Sequence, residues 1–430
     1  MVARANTEAE RLLAGDAAAA AALAGRLIRP RADNLVERPW GGHRLRDFKR
    51  LAAMAARGTF GESFELAADD SDDEARRYPS MIDLPDGSTV ALPALLAAHG
   101  ETLLGADFVS RYGARLPLLP KFLDVAELLS VQAHPPGGTE VYVIVTADPG
   151  ATLRLGFSRN ADATALANRF AAGRREQQRL IDLCGDAIAA DELQAIMKPW
   201  LASRAATPAA LAGVMRARAP NAPWADVAAC LAALHAVYWQ ALDGMNAIPV
   251  SAGMVVHNAN PPRVTVASGR PASAEIHALG NPEGRTLLAL EIRRPGVTYR
   301  AWDNVRFPLR PIDIDATLGA VNLAATRPEE FIVQPRAVRP GVQRSVDSEY
   351  FRLEHLAPTA LVSVDVPVTP PHTLHALAGA VSVYATDGEP VGRLARGESA
   401  LVPVDVGAYR VVADEEPALV IKTELPPYAD

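Results

Sequence analysis

Hydrophobic and polar residues alternate with a period of two through long parts of this chain, on either side of a central block with a different pattern. Alternation of this kind predicts β-strands, because side chains two apart on a strand point to the same face. In the central block, apolar residues recur at helical spacing, as in Ala225–Tyr238, and several prolines divide it. The pattern therefore predicts a mainly β protein with a helical insertion.

The length of the chain predicts more than one domain. Its 430 residues exceed what one compact core usually holds, so two or three domains are expected. The pattern indicates an N-terminal helix, a first β-rich domain in two pieces, the helical insertion and a second β-rich domain. Their predicted boundaries are 1–30, 31–160 together with 246–330, 161–245, and 331–430.

Composition and charge narrow the classes of protein. Hydrophobic residues make up 49% and charged residues 22%, as in soluble globular proteins. A net charge of -7 without a basic stripe argues against a nucleic-acid partner. The apolar run between Asp16 and Arg26 is too short to cross a bilayer and does not follow the order of a secretory signal, so no membrane partner is expected. The two cysteines, Cys184 and Cys230, form no metal-spaced pair, which favours a reducing, cytoplasmic location.

The candidate chemistry lies in the stretch Leu116–Val145. Gln132 and His134 share one face of a predicted strand, and Glu140 lies across a short Pro/Gly turn, on a strand that can pair back beside the first. An imidazole, an amide oxygen and a carboxylate can together bind a divalent cation such as zinc. A Gln-x-His pair on a strand is, taken alone, more often two hydrogen-bonded polar groups. The spacing by itself leaves both interpretations open.

Several motifs carry a family resemblance. Lys121–Pro135, KFLDVAELLSVQAHP, resembles the metal-binding segment of the type I mannose-6-phosphate isomerases, a family of the cupin superfamily. Trp40–Gly42 and Gly61–Leu66 resemble segments near the start of that family's first barrel, and we expect them to have a framework role. The resemblance implies that three side chains bind zinc, namely Gln132, His134 and Glu140.

A fourth zinc ligand is implied further along the chain. Glu275–Gly280 resembles the family's G-T-x-H-A-x-G segment, although Ser-Ala-Glu precedes the histidine in place of Ala-Gly-Thr. The matching histidine is His277. His257 is the competing candidate, and the residues that follow it, Asn258–Pro261, are interpreted as a loop. The resemblance thus implies one zinc ion per chain.

Two further residues, both later in the chain than His277, complete the implied active site. Leu290-Glu291-Ile292 and Thr298–Asp303 resemble the family's l-E-I-Q and T-Y-R-x-x-D segments, which contribute to its active site. We therefore expect Glu291 to transfer protons and Arg300 to stabilise developing charge or hold a phosphate. Taken alone, a Tyr-Arg-x-x-Asp sequence indicates only a surface strand with a weak ion pair.

Substrate binding is the part of the resemblance that departs from the family. Ser130 matches a family serine that contacts substrate, but Gly138 stands where the family commonly has a phosphate-binding lysine. Arg306 lies six residues beyond Arg300, where the family can have a lysine, and is expected to supply the missing charge.

Other polar residues are assigned structural roles. Gly397–Pro403 resembles the turn and strand of a cupin barrel, and His372 and His375 lack same-face spacing, so the second barrel is expected to be metal-free. His235 falls in a helix without a partner at i+3 or i+4, and is expected to be packed. The acidic run Asp69–Glu74 is interpreted as a solvated loop.

The resemblance implies two cupin-type (jelly-roll) β-barrels plus an α-helical domain. It also implies a zinc-dependent aldose–ketose isomerase that interconverts mannose 6-phosphate and fructose 6-phosphate through an enediolate. An isomerase of another sugar or sugar phosphate and a non-catalytic sugar-binding cupin remain as alternatives. An iron-dependent cupin dioxygenase is less favoured, because a glutamine ligand suits a redox-inert ion better. The sequence does not decide between a monomer and a homodimer.

Overall fold

The structure, a computed structural model, describes residues 6–51, 58–135, 137–258 and 275–428. These residues form a mainly β fold with several helices, which confirms that prediction. In place of one N-terminal helix the chain has two short helices. The first part of the chain contains α1 (Glu8–Leu13), α2 (Ala17–Ala24), β1 (Leu35–Gly42), α3 (Arg44–Phe48), β2 (Phe60–Phe64), α4 (Asp73–Arg77), β3 (Met81–Asp83), β4 (Thr89–Ala91), α5 (Leu92–Leu104) and α6 (Ala106–Tyr112).

The central part of the chain follows the predicted change from strands to helices and back. Strands β5 (Leu119–Val125), β6 (Val131–Ala133), β7 (Glu140–Ala147) and β8 (Thr152–Phe157) come first. Helices α7 (Ala163–Cys184), α8 (Ala190–Leu201), α9 (Pro208–Arg218) and α10 (Trp224–Asp243) follow. The strands then resume as β9 (Met245–Pro249), β10 (Val255–Asn258), β11 (His277–Leu279), β12 (Leu287–Arg293) and β13 (Tyr299–Trp302).

The last part of the chain is again mostly strand. It begins with α11 (Ile314–Ala320) and β14 (Ile332–Val333). It continues through β15 (Arg336–Arg339), β16 (Val342–Asp347), β17 (Arg352–Leu356), β18 (Val364–Val366), β19 (His372–Ala385), β20 (Pro390–Ala395), β21 (Ser399–Val402) and β22 (Tyr409–Glu424). The alternating small, polar and branched residues of Val264–His277 also predict strand structure, and most of this segment lies outside the described residues.

Two antiparallel sheets build the first β-rich region. Within the described residues, one sheet has the strand order β1-β2-β5-β12-β7-β10-β14 and the other has the order β13-β6-β11-β8-β9. Residues from both sheets, such as Leu123, Tyr142, Leu155 and Leu279, share one apolar cluster. The space between the two sheets is therefore a core, as the burial of apolar surface requires.

Other apolar clusters join this region to its neighbours. The outer face of the first sheet packs with α5 and with residues of the last β-rich region, including Leu353 and Ile421. The outer face of the second sheet packs with α7 to α10 through residues such as Val131 and Trp302. Helix α10 is long and apolar enough to cross a membrane by length and composition alone, and it lies in this helical cluster.

One end of the space between the sheets is polar instead of apolar. On β12, Leu287 and Ala289 belong to the core cluster, and the next two residues at a spacing of two are Glu291 and Arg293. Because side chains two apart share a face, the strand places apolar side chains and then charged side chains in the space between the two sheets. This polar end contains the candidate site.

Candidate active site

Strand pairing brings the predicted ligands together from distant parts of the chain. Gln132 on β6 is the direct cross-strand partner of His277 on β11. His134 follows β6 immediately, and Glu140 is the first residue of β7. The sequence separation of 145 residues between Gln132 and His277 is closed by a single antiparallel register.

The ligand atoms of these side chains lie close together. Atoms Nε2 of His134 and Oε1 of Glu140 are 2.5 Å apart, and Nε2 of His277 lies 3.4 Å from Oε2 of Glu140. One ligand atom from each of the three residues falls within 4.8 Å of the others. Three buried donors at this separation can share one cation.

Backbone carbonyls orient both imidazoles. Nδ1 of His134 is 3.2 Å from the carbonyl of Val297, and Nδ1 of His277 is 2.9 Å from the carbonyl of Glu275. Because each Nδ1 donates to an oxygen, each neutral ring keeps a lone pair on Nε2. Nε2 of His134 is buried without a hydrogen-bond partner among the described residues. Its lone pair beside the Glu140 carboxylate is unfavourable unless a cation or proton is shared, so the donor set fits a cation.

Glu140 is held as a carboxylate by its surroundings. Tyr142 Oη donates to it at 2.5 Å, and Nδ2 of Asn258 donates at 3.1 Å. Burial raises the pKa of Glu140, but positive charge at His134 and His277 and the donated hydrogen bonds outweigh burial and bring its pKa well below the usual range. A cation between neutral imidazoles would supply the same positive charge. Burial lowers the pKa of His277, which favours its neutral form. A neutral imidazole beside an ionised carboxylate is the state that binds a metal.

Gln132 completes the group through its side-chain amide. Its nitrogen lies 3.1 Å from Nε2 of His277, and its oxygen accepts a hydrogen bond from the Ser130 hydroxyl at 3.0 Å. Rotation of the terminal amide exchanges the two atoms. A role as cation ligand requires the oxygen to face the histidines.

Gln132, His134 and Glu140 line a cavity of about 320 Å³ that Ser130, Glu291 and Arg300 also line. His277 lies behind them, in contact with Gln132 and Glu140. Glu291 is almost fully buried, and its Oε2 lies 3.6 Å from Nζ of Lys121. Burial raises the pKa of Glu291 to about 7; Lys121 opposes the shift and Glu140 adds to it. A carboxyl group with a pKa near 7 can both accept and donate a proton at neutral pH.

Positive charge is in excess at one wall of the cavity. Asp303 is buried, and it accepts hydrogen bonds from Arg306 at 2.8 Å and from Nε of Arg310 at 2.6 Å. The side chain of Arg300 donates to the carbonyl of Pro311, and no carboxylate of the described residues lies within ion-pair distance of it. Arg300 and Arg310 line the cavity, and the one carboxylate that Arg310 contacts is shared with Arg306, so this wall can bind an anion.

Arg306 does not lie in this cavity. Its side chain is buried, and Nη2 donates to the carbonyl of Leu128 at 2.7 Å, beside a separate small cavity. Arg310 reaches the main cavity instead, and its side chain is 30% exposed. The expectation for Arg306 rested on the family resemblance and on its spacing from Arg300, and neither specifies the direction of a side chain in an irregular segment.

The absence of a lysine at position 138 has a steric reason. A Cβ atom on Gly138 would lie 2.5 Å from Cβ of His134, closer than any real contact. The turn can therefore carry no side chain at this position without moving the histidine.

Some residues of the site were not expected from the sequence. Asn258, interpreted as part of a loop, ends β10 and contacts both Glu140 and His277. The acidic run Asp69–Glu74, interpreted as a solvated loop, contains the buried Asp69 and Asp72 and lines the cavity. Short polar segments of this kind carry no periodicity, so sequence pattern does not distinguish a buried from a solvated form.

Four other histidines that the sequence analysis considered have partners outside the candidate cation site. His257 on β10 lies 3.2 Å from the Thr139 hydroxyl, and burial lowers its pKa to about 4. His372 is 2.7 Å from the Tyr409 hydroxyl. His375 lies between the hydroxyls of Ser399 and Thr373. Nε2 of His235 is 3.0 Å from the carbonyl of Ser203.

Facing antiparallel sheets with a buried His/Glu/Gln group at one end define a cupin-like β protein with a candidate cation site. No family model and no curated protein matches this sequence. Solved structures do match. The mannose 6-phosphate isomerase from Bacillus subtilis aligns with a TM-score of 0.60 and 17% identity, covering 93% of this chain and 100% of that one.

Two further structures give the same result. A putative mannosephosphate isomerase from Archaeoglobus fulgidus aligns with a TM-score of 0.56 and 17% identity, covering 93% of this chain and 98% of that one. A zinc-bound mannose 6-phosphate isomerase aligns with a TM-score of 0.57, 17% identity and the same coverage. The chain has the fold of the mannose-6-phosphate isomerase structures, and the predicted resemblance is confirmed at that level.

Proposed function

We propose that this protein is a metal-dependent aldose–ketose isomerase that interconverts mannose 6-phosphate and fructose 6-phosphate. The observation that carries the proposal is the meeting of Gln132, His134, Glu140 and His277 beside a cavity that Glu291 and Arg300 line. The zinc-bound relative of the same fold supports one zinc ion per chain as the cofactor.

The reaction moves a carbonyl group from C1 to C2. The C2 proton is removed to give an enediolate, a proton is returned to C1, and another proton passes from O2 to O1. A divalent cation bound by the four ligands would order the sugar oxygens and polarise the carbonyl as a Lewis acid. Glu291 is the proposed group that removes and returns the carbon-bound proton, since its raised pKa suits both steps.

The arginine wall is the proposed site for the negative charge of the substrate. Arg300 has no carboxylate partner among the described residues, and Arg310 shares Asp303 with Arg306. A phosphate group accepts several hydrogen bonds from guanidinium groups at once. Ser130, on the opposite side of Gln132 from His277, is proposed to contact the sugar phosphate.

We also propose the finer architecture that the sequence predicted. Residues 31–160 and 246–330 form one cupin-type barrel, 331–430 form a second, and 161–245 form a helical domain. The facing sheets and the separate helical and C-terminal apolar clusters support this division. A cytoplasmic location remains a prediction.

The function is tested with purified protein and mannose 6-phosphate, with fructose 6-phosphate followed in a coupled assay. Conversion that is lost on chelation and restored by Zn²⁺ supports the proposal, and no conversion by metal-loaded protein contradicts it. Mannose is the control substrate. Equal turnover of mannose and mannose 6-phosphate would favour an isomerase of unphosphorylated sugars, which the glycine at position 138 keeps as the alternative.

A further inference from the structure

We infer that Asp72 is a positioning residue for the cation site, and that it acts through the turn between β12 and β13. This turn, Arg294–Val297, carries the backbone carbonyl that orients His134. The inference rests on the proposed cation site, but not on the identity of the sugar.

Asp72 is 2% exposed, and both of its carboxylate oxygens are fully used. Oδ1 accepts from the backbone N–H groups of Glu74 and Ala75 at 2.9 and 3.0 Å, which caps the first turn of α4. Oδ2 accepts from Nη2 of Arg293 at 2.9 Å and from the backbone N–H of Gly296 at 2.8 Å. One carboxylate thus joins α4 to the turn.

Arg293 strengthens the same connection. Its side chain is almost completely buried, and Nη1 donates to the carbonyls of Arg294 at 3.2 Å and Gly296 at 3.1 Å. On the other side of the turn, the backbone N–H of Arg294 donates to the carbonyl of Thr139. The turn is therefore fastened on one side to α4 and on the other to the segment that precedes Glu140.

The connection ends at a candidate ligand. Gly296 donates to Asp72, and the next residue, Val297, accepts from Nδ1 of His134 at 3.2 Å. A partner on Nδ1 fixes both the tautomer and the orientation of a metal-binding imidazole, and loss of such a partner weakens metal affinity about 10- to 100-fold. Asp72→Asn removes the negative charge that accepts hydrogen bonds from Arg293 and from the backbone N–H of Gly296. The turn is then held less firmly, and the carbonyl of Val297 is no longer fixed against His134.

The test compares Asp72→Asn with Asp70→Asn, an exposed aspartate two residues away that serves as the matched control. Zn²⁺ affinity of the full chain is measured by competition with a chromogenic chelator. We expect Asp72→Asn to bind Zn²⁺ about 10- to 100-fold more weakly than wild type, and Asp70→Asn to bind it as wild type does.

A spectroscopic readout separates positioning from general loss of structure. In wild type, the imidazole Nδ1–H protons of His134 and His277 should both give protected proton NMR signals, because each donates to a buried carbonyl. Asp72→Asn should lose the His134 signal and keep the His277 signal. If Asp72→Asn does not fold, Arg293→Lys is used in its place. Lysine keeps the positive charge but cannot donate to Asp72 and to the carbonyls of the turn from two separate nitrogens.

The outcomes are distinct. Zn²⁺ affinity of Asp72→Asn within about twofold of the Asp70→Asn value, with the His134 signal retained, overturns the inference and leaves the proposed function standing. If Asp72→Asn binds Zn²⁺ more weakly and the metal-loaded wild type has no isomerase activity, the inference is supported and the proposed reaction is rejected. A wild-type chain that binds no Zn²⁺ overturns both.

Discussion

The side-chain amide nitrogen of Gln132 lies 3.1 Å from Nε2 of His277, although 145 residues separate the two positions. Between them the described residues form β7 and β8, the helices α7 to α10, and β9 and β10, and β11 then pairs with β6. The helical region therefore extends outward from the sheets without disturbing the register that unites the site. This pairing is the structural basis of the proposed cation centre.

Substitution of Glu291 tests the proposed proton transfer. Glu291→Gln keeps the shape of the side chain but removes the group that accepts a proton, so turnover should fall by about two to four orders of magnitude. Bound zinc per chain should be unchanged, because Glu291 is not one of the proposed ligands. Glu329→Gln, at an exposed position, should leave turnover as in wild type. Near-normal turnover in Glu291→Gln would remove this residue from the role.

The same carboxyl group predicts a pH dependence. Burial raises the pKa of Glu291 to about 7, and the ionised form is the one that removes a proton. As pH rises toward 7 the fraction of carboxylate increases, so kcat/KM should rise with pH and then level off. A bound cation nearby stabilises the carboxylate and moves the midpoint to lower pH. An acidic limb that is the same in wild type and in Glu291→Gln would assign the titration to another group.

Arg310 provides a test of anion recognition. Arg310→Gln removes one guanidinium from the wall around Asp303, and KM for mannose 6-phosphate should rise about 10- to 100-fold, as expected for a lost charge-assisted hydrogen bond. Turnover of unphosphorylated mannose should change little. Arg327→Gln, which removes an equal charge from an exposed position, is the matched control. Equal effects of the two substitutions would place the phosphate elsewhere.

Two buried histidines predict a loss of stability in acid. Burial lowers the pKa of His372 and of His375 to about 3. The unfolded chain, with a histidine pKa of about 6.5, takes up these protons first, so stability is lost as pH falls from about 6.5 toward 3. Each residue should contribute a loss of about 2 kcal/mol between pH 7 and pH 5.

Urea unfolding at the two pH values measures this loss. His375→Gln should reduce the pH-dependent loss by about 2 kcal/mol. The same pH dependence in wild type and His375→Gln would mean that His375 takes up its proton over the same pH range in the folded and unfolded chains.

The sequence predicted the parts of the site that depend on strand periodicity. Gln132 and His134 share a face because they are two residues apart. Glu140 follows a short turn, which keeps the start of β7 close to the end of β6. His277 was predicted from the family resemblance. The local sequence pattern does not show that its strand pairs with the distant strand that carries Gln132.

Other positions depend on tertiary packing that the sequence does not report. Asp72 lies in an acidic run that reads as solvated, yet Arg293, some 221 residues away, pairs with it in the interior. Nothing in the sequence distinguishes Arg306 from Arg310 as the residue that faces the cavity. Hydrogen bonds to Asp303 and to the carbonyl of Leu128 hold Arg306 away from it. For the same reason the strands and helices were easier to predict than the direction of side chains in the loops.

The central claim is that four chain-distant side chains hold one cation, and metal content tests it most directly. Protein loaded with Zn²⁺ and dialysed is analysed for zinc per chain, with His277→Ala beside the wild type and His257→Ala as the matched control. We predict one zinc per wild-type and per His257→Ala chain, and loss of bound zinc in His277→Ala. Equal zinc in wild type and His277→Ala, or zinc lost only from His257→Ala, would contradict this account.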